Sequence, residues 1–157
     1  MTIGLFGTCG GSTWRNSFME SYDNHGISYF NPQVEDWDPT LAEIEAEHLA
    51  NDEIILFPVL AETSGLGSLG EVGFSILQSI KLDVNRNVIV MIDKDCTVED
   101  EAVRKESIRA RALVMAHLRK LKYPNVYSVK NLPAMMLLSL ELHAVETLRK
   151  SLDRYRF

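Results

Sequence analysis

The sequence lacks the features that identify several large classes of proteins. Its two cysteines, Cys9 and Cys96, are too few for a disulfide framework, and neither lies in a C-x-x-C pair or a histidine-rich cluster of the kind that binds metal. The longest apolar runs, residues 54–60 and 88–92, are far shorter than the ~20 residues that span a bilayer. The N-terminus carries no basic stretch and no small-residue cleavage site. We therefore expect a cytoplasmic protein with no membrane segment and no metal site.

Basic residues are also scarce. The chain has 16 Lys and Arg against 22 Asp and Glu, which gives a net charge of −6. Proteins that bind a nucleic acid polymer usually carry a basic stripe, so we expect no such partner, and any bound nucleotide is expected to be a small molecule. The length of 157 residues fits one domain that encloses a single core.

What the sequence does contain is a regular alternation of strand-length and helix-length patterns. Segments rich in Ile, Val, Phe and Leu predict five strands, at residues 2–7, 27–31, 53–59, 88–93 and 125–129. Strands that alternate with helices indicate a parallel sheet with helices on both faces. The prediction is a single α/β domain over residues 1–157, a flavodoxin-like or Rossmann-like sandwich with right-handed crossovers.

The helices are predicted from their start signals and their apolar periodicity. Ser12 and Ser68 are expected to cap the first and third helices, and Asp38-Pro39-Thr40 opens the second. A long charged helix is predicted over residues 99–122, and the last helix begins at Pro133. Four apolar residues of the charged helix recur at near-helical spacing: Val103, Ile108, Leu113 and Leu118.

Ligands of such sheets bind beyond the carboxyl ends of the strands, and a glycine-rich turn follows the first strand. Residues 7–15 read GTCGGSTWR, and their free N–H groups at a helix N-terminus suit a phosphate or sugar hydroxyls, with Arg15 as a possible added charge. Two alternatives stay open. The glycines could serve only to turn the chain, and Arg15 could point to solvent or pair with Glu20 or Asp23.

An acidic segment with one large aromatic residue follows the second strand. It runs from Asn31 through Trp37 to Asp38-Pro39. Trp37 could form an aromatic wall for a planar base, with a carboxylate nearby to hydrogen-bond that base, or it could be a lid over the core.

The segment after the third strand, residues 61–74, is the most informative. Glu71 is expected in the first turn of a helix, between Gly70 and Gly73, with no basic residue nearby in the sequence. One interpretation is a capping box of Glu71 with Ser68, which complements the helix dipole. That interpretation leaves the glycines unexplained, because they remove side chains around a carboxylate as though a substrate had to approach it.

Four segments together resemble the nucleoside 2-deoxyribosyltransferase family, in particular its nucleoside 2-deoxyribosyltransferase-like branch. They are the first strand with its small-residue turn and Trp14-Arg15, the Asn31-Pro32 to Asp36-Trp37-Asp38 segment, Glu45-Ala46-Glu47-His48-Leu49 with Asn51-Asp52, and Ser68-Leu69-Gly70-Glu71-Val72-Gly73. The resemblance covers about the first half of the chain, and no motif carries over to the second half.

The resemblance implies cleavage or transfer of the N-glycosidic bond of (deoxy)nucleosides through a covalent glycosyl-glutamate. Glu71 would be the nucleophile, with Asp38 or Glu45 as the group that protonates the base. Some family members have an aspartate where this chain has Gly65, so Glu62 could substitute for it. No cofactor is implied. The substrate-binding residues are expected to be Gly7, Thr8, Trp14, Arg15, Asn31, Trp37, Ser68 and Gly70.

Other functions remain open at this point. A nucleoside 5′-monophosphate glycohydrolase would use the residue 7–12 turn, Arg15 and Ser68 to hold the phosphate. A phosphoribohydrolase of lysine-decarboxylase-like name has a superficially similar glycine-threonine-glutamate turn, and a non-catalytic nucleotide-binding module would keep the pocket alone. We favour nucleosides. The apolar stretch at residues 135–142 further predicts a homo-oligomer.

Overall fold

The part of the chain that the structure describes folds into an alternating series of five strands and five helices. The computed structural model describes residues 1–36, 38–82 and 86–156, so Trp37 lies outside the described residues. The elements in chain order are β1 Thr2–Leu5, α1 Trp14–His25, β2 Ser28–Phe30, α2 Leu41–Asn51, β3 Ile54–Val59, α3 Leu66–Leu82, β4 Asn87–Ile92, α4 Glu101–Lys120, β5 Val126–Ser128 and α5 Leu132–Asp153.

The five described strands form one parallel sheet in the order β2-β1-β3-β4-β5. Ile3 of β1 pairs with Tyr29 of β2 on one side and with Ile54 of β3 on the other. The predicted α/β sandwich is therefore confirmed, and its strand order is of the flavodoxin type. The order reverses between β1 and β3, which places the segments after these two strands side by side at the carboxyl edge of the sheet.

Side chains of alternate strand residues build a core on each face of the sheet. On one face, Ile3 and Leu5 pack with Trp14 and Phe18 of α1 and Met135 of α5. The core of the opposite face is formed by Phe6, Ile55, Phe57, Val72, Ile76, Val88 and Val90. All six residues of β3 are buried, as expected for a central parallel strand.

Two details of the predicted helix starts are wrong. Helix α1 begins at Trp14 after Thr13, and no side chain caps it. Helix α3 begins at Leu66, two residues before Ser68, because the carbonyl of Gly65 already accepts the N–H of Leu69 at 2.9 Å. Ser68 is therefore no N-cap, and Glu71 lies in the second turn rather than the first. The capping-box interpretation of Glu71 is excluded by this position.

The predicted apolar face of the charged helix is also mostly wrong. Val103, Ile108 and Leu113 are 36%, 40% and 51% exposed. The inward face instead carries Ser107 and Arg111, both fully buried. The reason is that α4 packs over the polar loop after β3, whose carbonyls require hydrogen-bond donors.

Helix α5 uses most of its apolar stretch within the subunit. Met135 is buried, and Met136, Leu138, Leu140 and Leu142 pack against the same core. A second set on this helix is exposed, namely Leu137, Val145, Leu148 and Leu152. The homo-oligomer stays a prediction. Within the described ranges, none of the helices combines the length and the apolar character needed to cross a membrane.

Candidate active site

Two adjoining clefts open at the carboxyl edge of the sheet, where the strand order reverses. The smaller cleft, about 360 Å³, lies between the turn after β1 and the start of α3 and is lined by Glu71, Ser68 and Gly67 among others. The larger, about 830 Å³, lies between the β1–α1 turn and residues 31–35. They share four lining residues: Cys9, Gly10, Pro32 and Glu45. A ligand the size of a nucleoside can therefore occupy both at once.

Glu71 is the carboxylate of the smaller cleft. It is half-buried on the sixth residue of α3 and forms no ion pair with any residue that the structure describes. Burial raises the pKa of the Glu71 carboxyl, the neighbouring Glu45 charge raises it further, and the Arg15 charge lowers it. Such a carboxylate is available for reaction because no cation neutralises it directly.

The glycines around Glu71 serve different purposes. Gly65 has φ +62°, and a Cβ there would lie 2.5 Å from Cγ1 of Val59, so this position requires glycine. A Cβ on Gly67 or Gly70 would meet nothing within 4 Å. Gly67 lines the smaller cleft and leaves space open beside Glu71, whereas Gly70 is exposed and lies outside both linings.

The turn after β1 is locked to β3. Gly7 has φ +96°, and a Cβ there would lie 2.6 Å from the carbonyl oxygen of Pro58. Thr8 donates its N–H to that carbonyl at 2.8 Å, and its hydroxyl accepts the N–H of Leu60 at 2.8 Å. Gly7 and Thr8 line the smaller cleft, where they fix the position of the turn against β3. The Thr8 hydroxyl already accepts a hydrogen bond from Leu60.

Arg15 does not point to solvent, nor does it pair with Glu20 or Asp23. It is 1% exposed, and its guanidinium donates to the carbonyls of Leu5 at 2.8 Å and Thr8 at 2.7 Å. The indole N–H of Trp14 donates to the Thr8 carbonyl as well, at 2.9 Å. The buried side chains of Trp14 and Arg15 thus hold the turn through hydrogen bonds to its carbonyls, and neither residue lines either of the two clefts.

The carboxylates suggested as proton donors differ in position. Glu45, on α2, lines both clefts and raises the pKa of Glu71 through its charge. Asp38 is exposed and accepts the N–H of Thr40 at 2.7 Å and the Thr40 hydroxyl, which lower its pKa. Glu62 is exposed and lies outside both linings. Only Glu45 of these three is placed beside Glu71.

The larger cleft is lined by the polar side chains of Asn31, Gln33 and Ser12. Gln33 was not among the predicted site residues. Asn31, which was predicted, accepts the N–H of Gln33 through its side chain at 3.0 Å, and Gln33 donates to the Gly10 carbonyl at 2.7 Å. Ser12 is 5% exposed, and its hydroxyl has no hydrogen-bond partner among the described residues. In the same ranges, no three His, Cys, Asp or Glu side chains are grouped as metal ligands would be.

The first part of the chain matches a known protein family. The family profile described as nucleoside 2-deoxyribosyltransferase like matches residues 1–94, which is more than half of the 157-residue chain. The match includes β1, β3, α3 and both clefts, and it ends just after β4. No curated protein matches the chain significantly.

Proposed function

Because the chain belongs to the nucleoside 2-deoxyribosyltransferase-like family, we propose that it cleaves or transfers the N-glycosidic bond of deoxynucleosides with Glu71 as nucleophile. The observation that carries the proposal is the position of Glu71: a half-buried carboxylate without an ion pair among the described residues, in a cleft at the point where the strand order reverses. Its position in the second turn of α3 leaves it no capping role.

The proposed reaction has two steps. In the first, a Glu71 oxygen attacks the anomeric carbon while the bond from that carbon to the base nitrogen breaks through an oxocarbenium-like state. The bond electrons leave with the base, which takes a proton from Glu45. In the second step, water or another base attacks the same carbon, Glu45 accepts the proton of the attacking group, and the ester to Glu71 breaks. Water as acceptor gives hydrolysis, and a base gives transfer.

The surroundings of Glu71 affect its proposed role as the attacking group. The attacking group must be ionised and the donor protonated. Burial and the Glu45 charge raise the pKa of the Glu71 carboxyl and oppose its ionisation, whereas the Arg15 charge favours the ionised form.

The charge of the clefts favours a nucleoside over its 5′-monophosphate. The lining residues that the structure describes include Glu35, Glu45 and Glu71 but no Lys or Arg. Arg15, the cation closest in sequence to the glycine turn, is buried, and its donors are used by backbone carbonyls and by the side chains of Gln33 and Cys9. A phosphate dianion would face these carboxylates without a compensating cation, whereas a nucleoside is uncharged.

The test is an incubation of the protein with deoxynucleosides and with their 5′-monophosphates, with and without an added free base. Chromatography of the released or exchanged base gives the activity. We expect kcat/KM for the nucleoside to exceed that for the matched monophosphate by at least about tenfold.

Faster turnover of monophosphates would show that the substrate class is wrong. Binding without turnover of either would show a non-catalytic nucleotide-binding module.

A further inference from the structure

A second buried arginine, Arg111, lies beneath the loop that leads from β3 into α3. It belongs to α4, beyond the matched residues 1–94, and is fully buried. All three nitrogens of its guanidinium donate hydrogen bonds to groups around this loop. The acceptors are the carbonyls of Val59 at 3.0 Å, Asp93 at 3.1 Å, Leu60 at 2.9 Å and Thr63 at 2.7 Å, and the Ser107 hydroxyl at 3.0 Å.

Arg111 is not held by an ion pair. No carboxylate oxygen lies within 4 Å of its guanidinium among the described residues. Burial lowers the pKa of Arg111, while the charges of Cys96 and Asp93 oppose that effect. A buried cation is costly unless its donors are satisfied, and here the guanidinium donates to four backbone carbonyls and to the Ser107 hydroxyl. These hydrogen bonds fix the path of the backbone between β3 and α3.

The loop fixed in this way is residues 60–65. Ser107, one turn before Arg111 on α4, donates its hydroxyl to the Ser64 carbonyl at 2.7 Å. A Cβ on Gly65 would lie 3.3 Å from Nη2 of Arg111, so the guanidinium packs against the residue whose carbonyl starts α3. Glu71 follows six residues later on the same helix. The arginine therefore supports the segment that presents Glu71.

We propose that Arg111 is a positioning residue for the reaction of Glu71. It lines neither of the two described clefts; it holds residues 60–65 so that α3 presents the Glu71 carboxylate at a fixed distance from the anomeric carbon. This rests on the proposed function of Glu71. A displacement of about 1 Å in such a group costs roughly a hundredfold in rate, so loosening of the loop reduces kcat more than it changes KM.

The chain offers a matched control in Arg86. This residue is 4% exposed and donates to the carbonyls of Asp52 at 3.0 Å, Leu49 at 3.0 Å and Ala50, and to Gln78 at 2.9 Å. It precedes β4, at the opposite, amino edge of the sheet. Arg86→Lys therefore removes the same kind of support as Arg111→Lys, away from Glu71.

The experiment compares these two lysine variants by hydrogen exchange and by steady-state kinetics on a deoxynucleoside. Arg111→Lys is expected to speed the amide exchange of residues 61–72 by at least about tenfold and to lower kcat by about ten- to a hundredfold, with KM changed less than about threefold. Arg86→Lys is expected to speed exchange near residues 49–53 and to leave kcat within about twofold of wild type.

Ser107→Ala, which keeps the guanidinium and removes two of the contacts, gives a second and milder test of the same segment. The exchange readout does not depend on turnover, so it separates failure of this proposal from failure of the proposed function. Unchanged exchange of residues 61–72 in both Arg111→Lys and Ser107→Ala would overturn the positioning role, as would equal loss of kcat in Arg86→Lys.

Discussion

Two glutamates at opposite edges of the sheet, Glu53 and Glu71, differ in their partners and in the direction of their pKa shifts. At the amino edge, burial opposes ionisation of Glu53, but hydrogen bonds from Lys150 at 2.5 Å and from the Thr2 N–H at 2.8 Å lower its pKa overall. At the carboxyl edge, Glu71 has no such ion pair among the described residues, and burial beside Glu45 raises its pKa. The partnered Glu53 stabilises the fold, whereas Glu71, which has no ion pair among the described residues, fits the proposed role of a nucleophile.

The buried arginines also differ between the two edges of the sheet. Arg86 fixes backbone at the amino edge. Arg15 and Arg111 fix the two carboxyl-edge segments that form the walls of the cleft. Arg15 and Arg111 therefore support the walls of the cleft through backbone carbonyls, and the described lining of the cleft contains carboxylates and polar groups but no Lys or Arg.

Of the substitutions that test the difference between the two edges, Glu71→Gln is expected to have the largest effect on turnover. Turnover should fall by at least about a thousandfold, because the amide cannot form the glycosyl ester. The folded-state pKa of Glu71 is raised, so its ionisation as pH rises through that pKa opposes folding, and the amide avoids this cost. At pH 7 the Tm should equal or slightly exceed that of wild type.

Glu47→Gln is the control for this prediction, because Glu47 is an exposed glutamate of α2. It should leave both turnover and Tm unchanged. A Glu71→Gln protein that retains activity would remove Glu71 from the nucleophile position.

The next effect concerns the partner carboxylate. Glu45→Gln should lower kcat by about a hundredfold or more for bases that need protonation, and by less for a base that leaves readily as an anion. If Asp38 were the donor instead, Asp38→Asn would show this dependence on the leaving group and Glu45→Gln would not.

The pH profile gives a finer test of the same pair. Activity requires ionised Glu71, so it should fall as pH decreases through the Glu71 pKa, at a pH above the ordinary glutamate value. Burial is the main cause of the raised pKa, and the Glu45 charge adds to it; Glu45→Gln removes that second contribution, so the acidic limb of kcat/KM should move to lower pH. A limb that stays in place in Glu45→Gln would show that the two carboxylates are not coupled.

The smallest effect is expected at the amino edge. Glu53→Gln should cost about 0.5–1 kcal/mol of unfolding free energy, because its ion pair with Lys150 is partly exposed and screened by solvent. The kcat should not change. Denaturant unfolding and steady-state kinetics measure the two quantities, and a loss of kcat without a loss of stability would contradict the division between the edges.

Much of this architecture was predictable because its signals are local in sequence. The five strands follow from short apolar runs, and Glu71 follows from its glycine-rich surroundings at the end of the third. The hydrogen-bond partners of Arg15 and Arg111 were not predictable from the sequence. Arg111 donates hydrogen bonds to carbonyls about 50 residues away in the chain. Arg15 donates to carbonyls of the turn after β1, and the path of this turn depends on its hydrogen bond to β3.

The errors have the same origin. Ser68 has the residue type of a cap, but the loop braced by Arg111 starts α3 two residues earlier, at Leu66. The near-helical spacing on α4 suggested an apolar inward face, and the polar loop beneath selected Ser107 and Arg111 instead. Tertiary hydrogen bonds therefore overrode local patterns wherever the segment packs on the site.

The most direct test of the account is the site of covalent attachment. Protein mixed with a 2′-deoxynucleoside in the absence of an acceptor base is quenched in acid, digested and mapped by mass spectrometry. We expect one added deoxyribosyl group on the peptide that contains Glu71, and none in Glu71→Gln. An adduct on another residue, or turnover of the nucleoside with inversion at the anomeric carbon, would contradict it.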